Sequence, residues 1–234
     1  MKRFILTLLV LAASASVGWA TTASRDFVSA SSQYLDGTLG TSYTAPLTFA
    51  CWCNADAGSV AFPLSLFSSA DDDTYAISYT ESGGKEGYAA YIENGLSDAT
   101  GFAGTVPNGV WMHLTAGWDG AGNKLVALDG VIEDDVETVT DPTLDDVYVG
   151  GLPGATHWDG QIAHCAMWNV FLADKDVEQL ATGMLPYHIR PEKLIAYWPL
   201  LGVSPEPTKD GIDAASLTVT GSSGVKTGPP VWSK

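Results

Sequence analysis

The chain is predicted to be all-β, an antiparallel sandwich with one short α-helix near residues 174–183. Three observations carry this. Short apolar runs with two-residue alternation recur along the whole sequence. Turn residues punctuate them, at Gly83-Gly84, in the loop 119–123, and at Asp129-Gly130 and Asp159-Gly160. One segment has helical spacing instead. Val177, Leu180, Ala181 and Met184 fall at i, i+3, i+4 and i+7, with Asp174 expected as N-cap and Gly183 at the C′ position.

Taken in order, the first twenty residues read as a secretory signal peptide. Lys2 and Arg3 precede an apolar stretch over 4–17, and the small residues Gly18 and Ala20 precede a cut. The stretch is short for a membrane span, so no membrane insertion is expected once it is removed. Residues 27–35 read as a short polar strand and turn. Residues 47–53 (LTFACWC) form the first strong strand, with Leu47, Phe49, Cys51 and Cys53 on one face. Strands are expected over 64–68, 74–80 and 88–92, the first two joined by the acidic turn Asp71-Asp72-Asp73. A hairpin follows, 111–118 returning through 124–128, and then strands over 136–140 and 147–149. In 162–170, Ala163, Cys165 and Met167 should share one face, and Ile162, His164, Ala166 and Trp168 the other. The helix is next, then strands over 194–199 and 217–219 around a Pro-rich loop at 204–211. Trp52, Trp111, Trp118, Trp168 and Trp198 read as core.

With 234 residues and 46% hydrophobic content, the chain is sized for one sandwich domain over 24–234. Asp and Glu outnumber Lys and Arg 27 to 11, for a net charge of −16. No basic stripe exists to displace counterions from phosphates, which sets nucleic acid aside. Three cysteines leave two readings open. Either Cys51 or Cys53 bonds Cys165, or all three are buried thiols.

Several segments, in sequence order, resemble one family. LTFACWC resembles the early strand of laminin-G-like and pentraxin domains. VPNGVWMHLTAGWDGAGNKLVALDG resembles their central hairpin, and WDGQIAHCAMWNVFLADKDVEQLATG their strand and helix. LIAYWPL and the closing PPVW resemble the pentraxin end. The likeness covers about residues 24–234 and implies a concanavalin A-like jelly roll. It also implies a secreted or surface-displayed, non-catalytic recognition module, most often for carbohydrate and often through calcium. Its partner would be a glycan or protein on a cell or particle surface. Asp72-Asp73 match the pentraxin metal turn. The second pentraxin metal loop matches 150–154, which holds no carboxylate, and the pentraxin disulfide positions match Ala50 and Thr115.

Candidate sites follow. Asp71, Asp72 and Asp73 are candidate calcium ligands, since calcium takes several hard oxygens. Tyr75, Tyr79, Tyr88 and Tyr91 are candidates for a sugar-stacking platform, with His157 and Trp158 as a second one in a loop, because apolar sugar faces pack on aromatic rings. No catalytic residue is nominated. Superfamily glycosidases place carboxylates at alternating strand positions, and the dense run Glu133, Asp134, Asp135 and Glu137 lacks that pattern. No GxSxG or HExxH motif is present. A structural or decoration protein of a filament, surface coat or phage virion is the alternative reading, with homo-oligomers expected there.

Overall fold

Strand β12, Gly160–Trp168, is the central strand of an eight-stranded sheet. A computed structural model describes residues 20–56, 61–68, 73–82, 85–95, 97–101, 108–136, 139–154, 157–203, 206–208, 211, 215–221 and 224–231. The expected signal peptide therefore lies outside the described residues up to position 19, as do Gly83 and Gly84. One edge of β12 pairs with β3, Leu47–Ala55. The other pairs with β1, Ala20–Phe27, through the first half of β12 and with β13, Leu194–Trp198, through the second. Outside β3 come β8, Met112–Trp118, β9, Asn123–Leu128, and β10, Val131–Val136. Outside β1 lies β15, Gly224–Val231.

A second, seven-stranded sheet faces this one. Its order is β14, Thr218–Thr220; β2, Tyr34–Tyr43; β11, Leu144–Val149; β4, Ala61–Ser68; β5, Asp73–Ser82; β6, Lys85–Glu93; and β7, Ser97–Gly101. The two sheets bury alternate residues against each other, which is the jelly-roll sandwich the sequence predicts. Leu47, Phe49, Cys51 and Cys53 of β3 meet Tyr75, Ile77 and Tyr79 of β5 in one core. Trp118 packs edge-on against both Phe49 and Tyr75, with ring centres 5.1 Å apart in each pair.

The helix α1, Asp174–Ala181, lies on the outer face of the eight-stranded sheet. Eight residues are too few for an isolated helix in water. Burying Val177 and Leu180 against Ala50, Ala127, Ala166 and Trp168 supplies the missing stability, about 1.5–3 kcal/mol per side chain. Gly183 adopts φ 94 beyond its end, as expected, but the N-cap is Ala173 and Asp174 is the first helical residue. Thr48 pins the approach to the helix, donating to Val170 O at 2.8 Å and accepting from Leu172 N at 3.0 Å.

Two further expectations need correction. Ile162 shares the core face with Cys165 and Met167, because a β-bulge at His164 (φ 52) inserts one residue opposite Cys51 and resets the alternation. Of the strand expected at 136–140, residues 137 and 138 lie outside the described residues and 139–140 are not strand; β10 instead begins directly after the Asp129-Gly130 turn with Val131 opposite Leu128. Asp129 and Gly130 have φ 48 and 82, the two left-handed centres of the tightest hairpin turn. Residues 27–35, read as one short strand and a turn, hold the turn as a 3-10 turn over Ser29–Ser31, between the end of β1 at Phe27 and the start of β2 at Tyr34.

Cys51 is bonded to Cys165 with Cα atoms 4.3 Å apart, and Cys53 is a buried free thiol. Ala50 and Thr115 do face each other across β3 and β8, so the disulfide crosses to the opposite neighbour of β3. Of the five tryptophans expected in the core, Trp118, Trp168 and Trp198 are fully buried, while Trp52 and Trp111 are half-buried.

Candidate functional site

Alternation leaves one face of the seven-stranded sheet turned away from the core. Across its middle, register pairs align Asp36, Tyr148, Ser65, Ala76 and Tyr91 in one row. Small Ser65 and Ala76 stand between two tyrosines, so the row dips at its centre. One step along, Phe67, Thr74 and Glu93 align in the same way. A pocket of about 380 Å³ opens over these two rows. Phe62, Phe67, Thr74, Tyr91 and Glu93 come from the sheet, while Leu152, Pro153 and Gly154 come from the loop after β11.

That loop is held in place by backbone bonds. Gly150 N donates to Pro63 O at 3.1 Å, Trp158 N donates to Gly150 O at 2.8 Å, and Gly151 bridges His157. Leu152 is buried beneath the loop while Pro153 and Gly154 are exposed at its tip. Within the pocket the Tyr91 hydroxyl donates to Glu93 Oε2 at 2.7 Å, and the Tyr91 ring lies 5.8 Å from Phe62. Phe67 meets Tyr148 edge-on at 5.9 Å, extending the aromatic surface towards Tyr34. Partial burial, together with the carboxylates of Asp146 and Asp36, holds the Tyr148 hydroxyl above its ordinary pKa.

The sequence-based candidates divide. Tyr91 is at the pocket. Tyr75, Tyr79 and Tyr88 point inward and are buried at 0–1% exposure, so they cannot offer a ring to solvent. Tyr79 and Tyr88 are cross-strand partners with rings 5.1 Å apart, and the Trp158 ring lies 6.3 Å from each. Trp158, at 1% exposure, is thus core and not a loop platform. His157 is half-buried and stacks on Tyr34 at 5.9 Å, and burial lowers its pKa. Tyr75 is fixed by donating to Asp141 Oδ1 at 2.8 Å and accepting from Ala45 N at 3.2 Å. Parity alone separates Tyr88 from Tyr91, which are three apart on one strand and must face opposite ways. Phe62, Phe67 and Glu93 were missed. Glu93, two residues beyond Tyr91 and on its face, was the signal to follow.

Asp71 and Asp72 lie outside the described residues. Asp73 opens β5 opposite Ser68, one residue before the pocket-lining Thr74. Calcium takes six to eight oxygens, roughly. Among the described residues no three His, Cys, Asp or Glu side chains converge on a common point, and the facing loop Gly150–Gly154 brings no carboxylate. The described residues do not assemble a calcium cage. The acidic run over 133–135 sits on edge strand β10 with its side chains in solvent. No helix among the described residues is long and apolar enough to cross a membrane.

The architecture is that of concanavalin A-like sandwiches. The chain belongs to the laminin G branch of the concanavalin A-like lectin/glucanases superfamily, whose sequence profile matches residues 26–178. No curated protein sequence matches it. Among solved structures it is similar to a Bacteroides ovatus protein assigned to carbohydrate binding, at 16% identity and TM-score 0.63, over 90% of this chain and 61% of that one. The chain thus spans about three fifths of that protein's length. It is also similar to a heptameric SAP-like pentraxin from Limulus polyphemus, at 14% identity and TM-score 0.62, over 88% of this chain and 95% of that one. A third is domain 4 of an extracellular arabinanase from Geobacillus stearothermophilus, in complex with arabinotriose. It matches at 16% identity and TM-score 0.51, over 62% of this chain and 72% of that one. At these identities the likeness speaks to the fold.

Proposed function

We propose that this domain is a non-catalytic recognition module that binds carbohydrate on the outward face of its seven-stranded sheet. The observation that carries the reading is the pocket lined together by Phe62, Phe67, Tyr91 and Glu93. Aromatic rings accept the apolar face of a sugar, and a fixed carboxylate accepts hydrogen bonds from its hydroxyls. The pocket lining includes one carboxylate, whereas the usual mechanisms of glycoside hydrolysis work through a facing pair. Sugar binding in the domain of the arabinanase, whose structure holds arabinotriose, supports the reading by analogy of fold.

Secretion through residues 1–20 belongs to the same proposal, and so does a calcium ion held by Asp71, Asp72 and Asp73. A thermal melt with calcium and with chelator tests the ion: identical curves remove it. The binding itself is tested by calorimetry against a panel of oligosaccharides, using the wild-type chain and Tyr91→Ala. Measurable binding that the substitution weakens is expected. Absence of binding to every saccharide, or binding that Tyr91→Ala leaves untouched, overturns the assignment.

A further inference from the structure

The pocket's charge restricts which sugars it can accept. The seven strands of its sheet carry carboxylates at Asp36, Asp73, Asp145, Asp146 and Glu93, among others, and one cation, Lys85. Lys85 sits at the opposite end of β6 from Glu93, paired with Ser82. It is six residues from Tyr91, or about 20 Å along a strand. Glu93 lines the pocket directly, its Oε2 fixed by the Tyr91 hydroxyl. Asp146 lies on the neighbouring row, bonded by Thr38 at 2.7 Å, and Asp36 stands opposite Tyr148. Two further pocket walls are the aromatic rings of Phe62 and Phe67, whose faces carry negative potential.

Building on the carbohydrate-binding reading, we infer that this pocket selects a sugar bearing a protonated amine, an unacetylated amino sugar, and rejects uronic or sulfated sugars. An ammonium group placed between the aromatic faces and the Glu93 carboxylate gains a cation–π contact and a charge-assisted hydrogen bond together. A carboxylate or sulfate in the same place would be repelled by Glu93, and among the described residues that line the pocket none is a cation.

The test is calorimetric titration, at mildly acidic pH, of three probes matched in length: glucosamine oligomers, N-acetylglucosamine oligomers and oligogalacturonate. Glucosamine oligomers should bind at least about tenfold more tightly than the acetylated ones, with no binding of the galacturonate. Glu93→Gln, which keeps the shape of the side chain, should reduce that preference to about twofold or less, the amine-bearing oligomers losing more affinity than the acetylated ones. Equal affinity for the amine and acetylated forms, a preference unmoved in Glu93→Gln, or tighter binding of galacturonate overturns the inference and leaves the carbohydrate reading standing. Failure of all three probes to bind overturns the carbohydrate reading together with the inference.

Discussion

Tyr91 and Glu93, two apart on β6, share one outward face and are joined by a hydrogen bond of 2.7 Å from the phenol to the carboxylate. The bond fixes the ring edge and the carboxylate as one unit, and the pocket is built around it. Truncating Tyr91 to Ala removes a ring surface, and the expected loss of saccharide affinity is about tenfold, within the range of one aromatic contact. Tyr91→Phe keeps the ring and loses the bond, a cost of about 0.5–1.5 kcal/mol in binding. Because Tyr91 is half-buried at the surface, both variants should melt close to wild type. Calorimetry and a melting curve check the pair of statements, and an affinity order with Phe below Ala would refute them.

The cysteines give a prediction that needs no ligand. Cys51 and Cys165 are 114 residues apart, so their bond restricts a long loop of the unfolded chain. Replacing both by Ala should lower unfolding free energy by about 2–5 kcal/mol, read from denaturant titration without reductant. Cys53 is fully buried, and burial raises its pKa well above the ordinary thiol value. A thiol reagent should therefore find no reactive group in the native protein and one in denaturant. Native reactivity would contradict the burial of Cys53.

How far the sequence reveals this molecule can be judged from these residues. Strand β3 was legible because Leu47, Phe49, Cys51 and Cys53 alternate without a break. Strand β12 was legible as a strand, yet its faces were not, since a bulge at His164 leaves no mark in hydrophobic period. Strand β10 was misplaced because an edge strand with solvent around it needs no apolar alternation. The pocket depended on Phe62 and Phe67 of β4 meeting Tyr91 of β6, two strands away in the sheet order, and such proximity is a property of topology.

The buried histidine predicts acid sensitivity. His113, at 2% exposure, lies edge-on to Trp52 with ring centres 5.2 Å apart. Burial first, and nearby His164 second, lower its pKa from 6.5 to about 3. The folded protein holds this imidazole neutral, while the unfolded chain takes up a proton as pH falls below 6.5. Its contribution to stability is therefore complete above pH 6.5 and declines as pH falls towards 3. His113→Gln should flatten that part of the stability profile, measured by urea unfolding at a series of pH values. An unchanged slope would assign the acid sensitivity to other groups.

The buried ion pair between Arg25 and Glu206 makes the last prediction. Arg25 Nη2 donates to Glu206 Oε2 at 2.7 Å, with the two side chains 2% and 0% exposed, and also to Val203 O. Glu206 in turn accepts from Gly202 N at 3.1 Å and from Leu201 N, while its backbone pairs with Leu217. One carboxylate thus ties β1 to the chain segment that leads into β14. Glu206→Ala strands a charged guanidinium in the core, and the expected cost is about 3–5 kcal/mol. The pair itself is not the source of that energy, since both charges were stripped of water to form it. Replacing both together, Arg25→Met with Glu206→Leu, should recover most of the loss or exceed wild-type stability. Added salt should change neither result much, because screening does not reach a dry pair. Guanidinium unfolding of Glu206→Ala and of the double variant decides the matter: a double variant as unstable as Glu206→Ala would mean that the tether to Leu201 and Gly202, and not the buried charge, is what the fold requires.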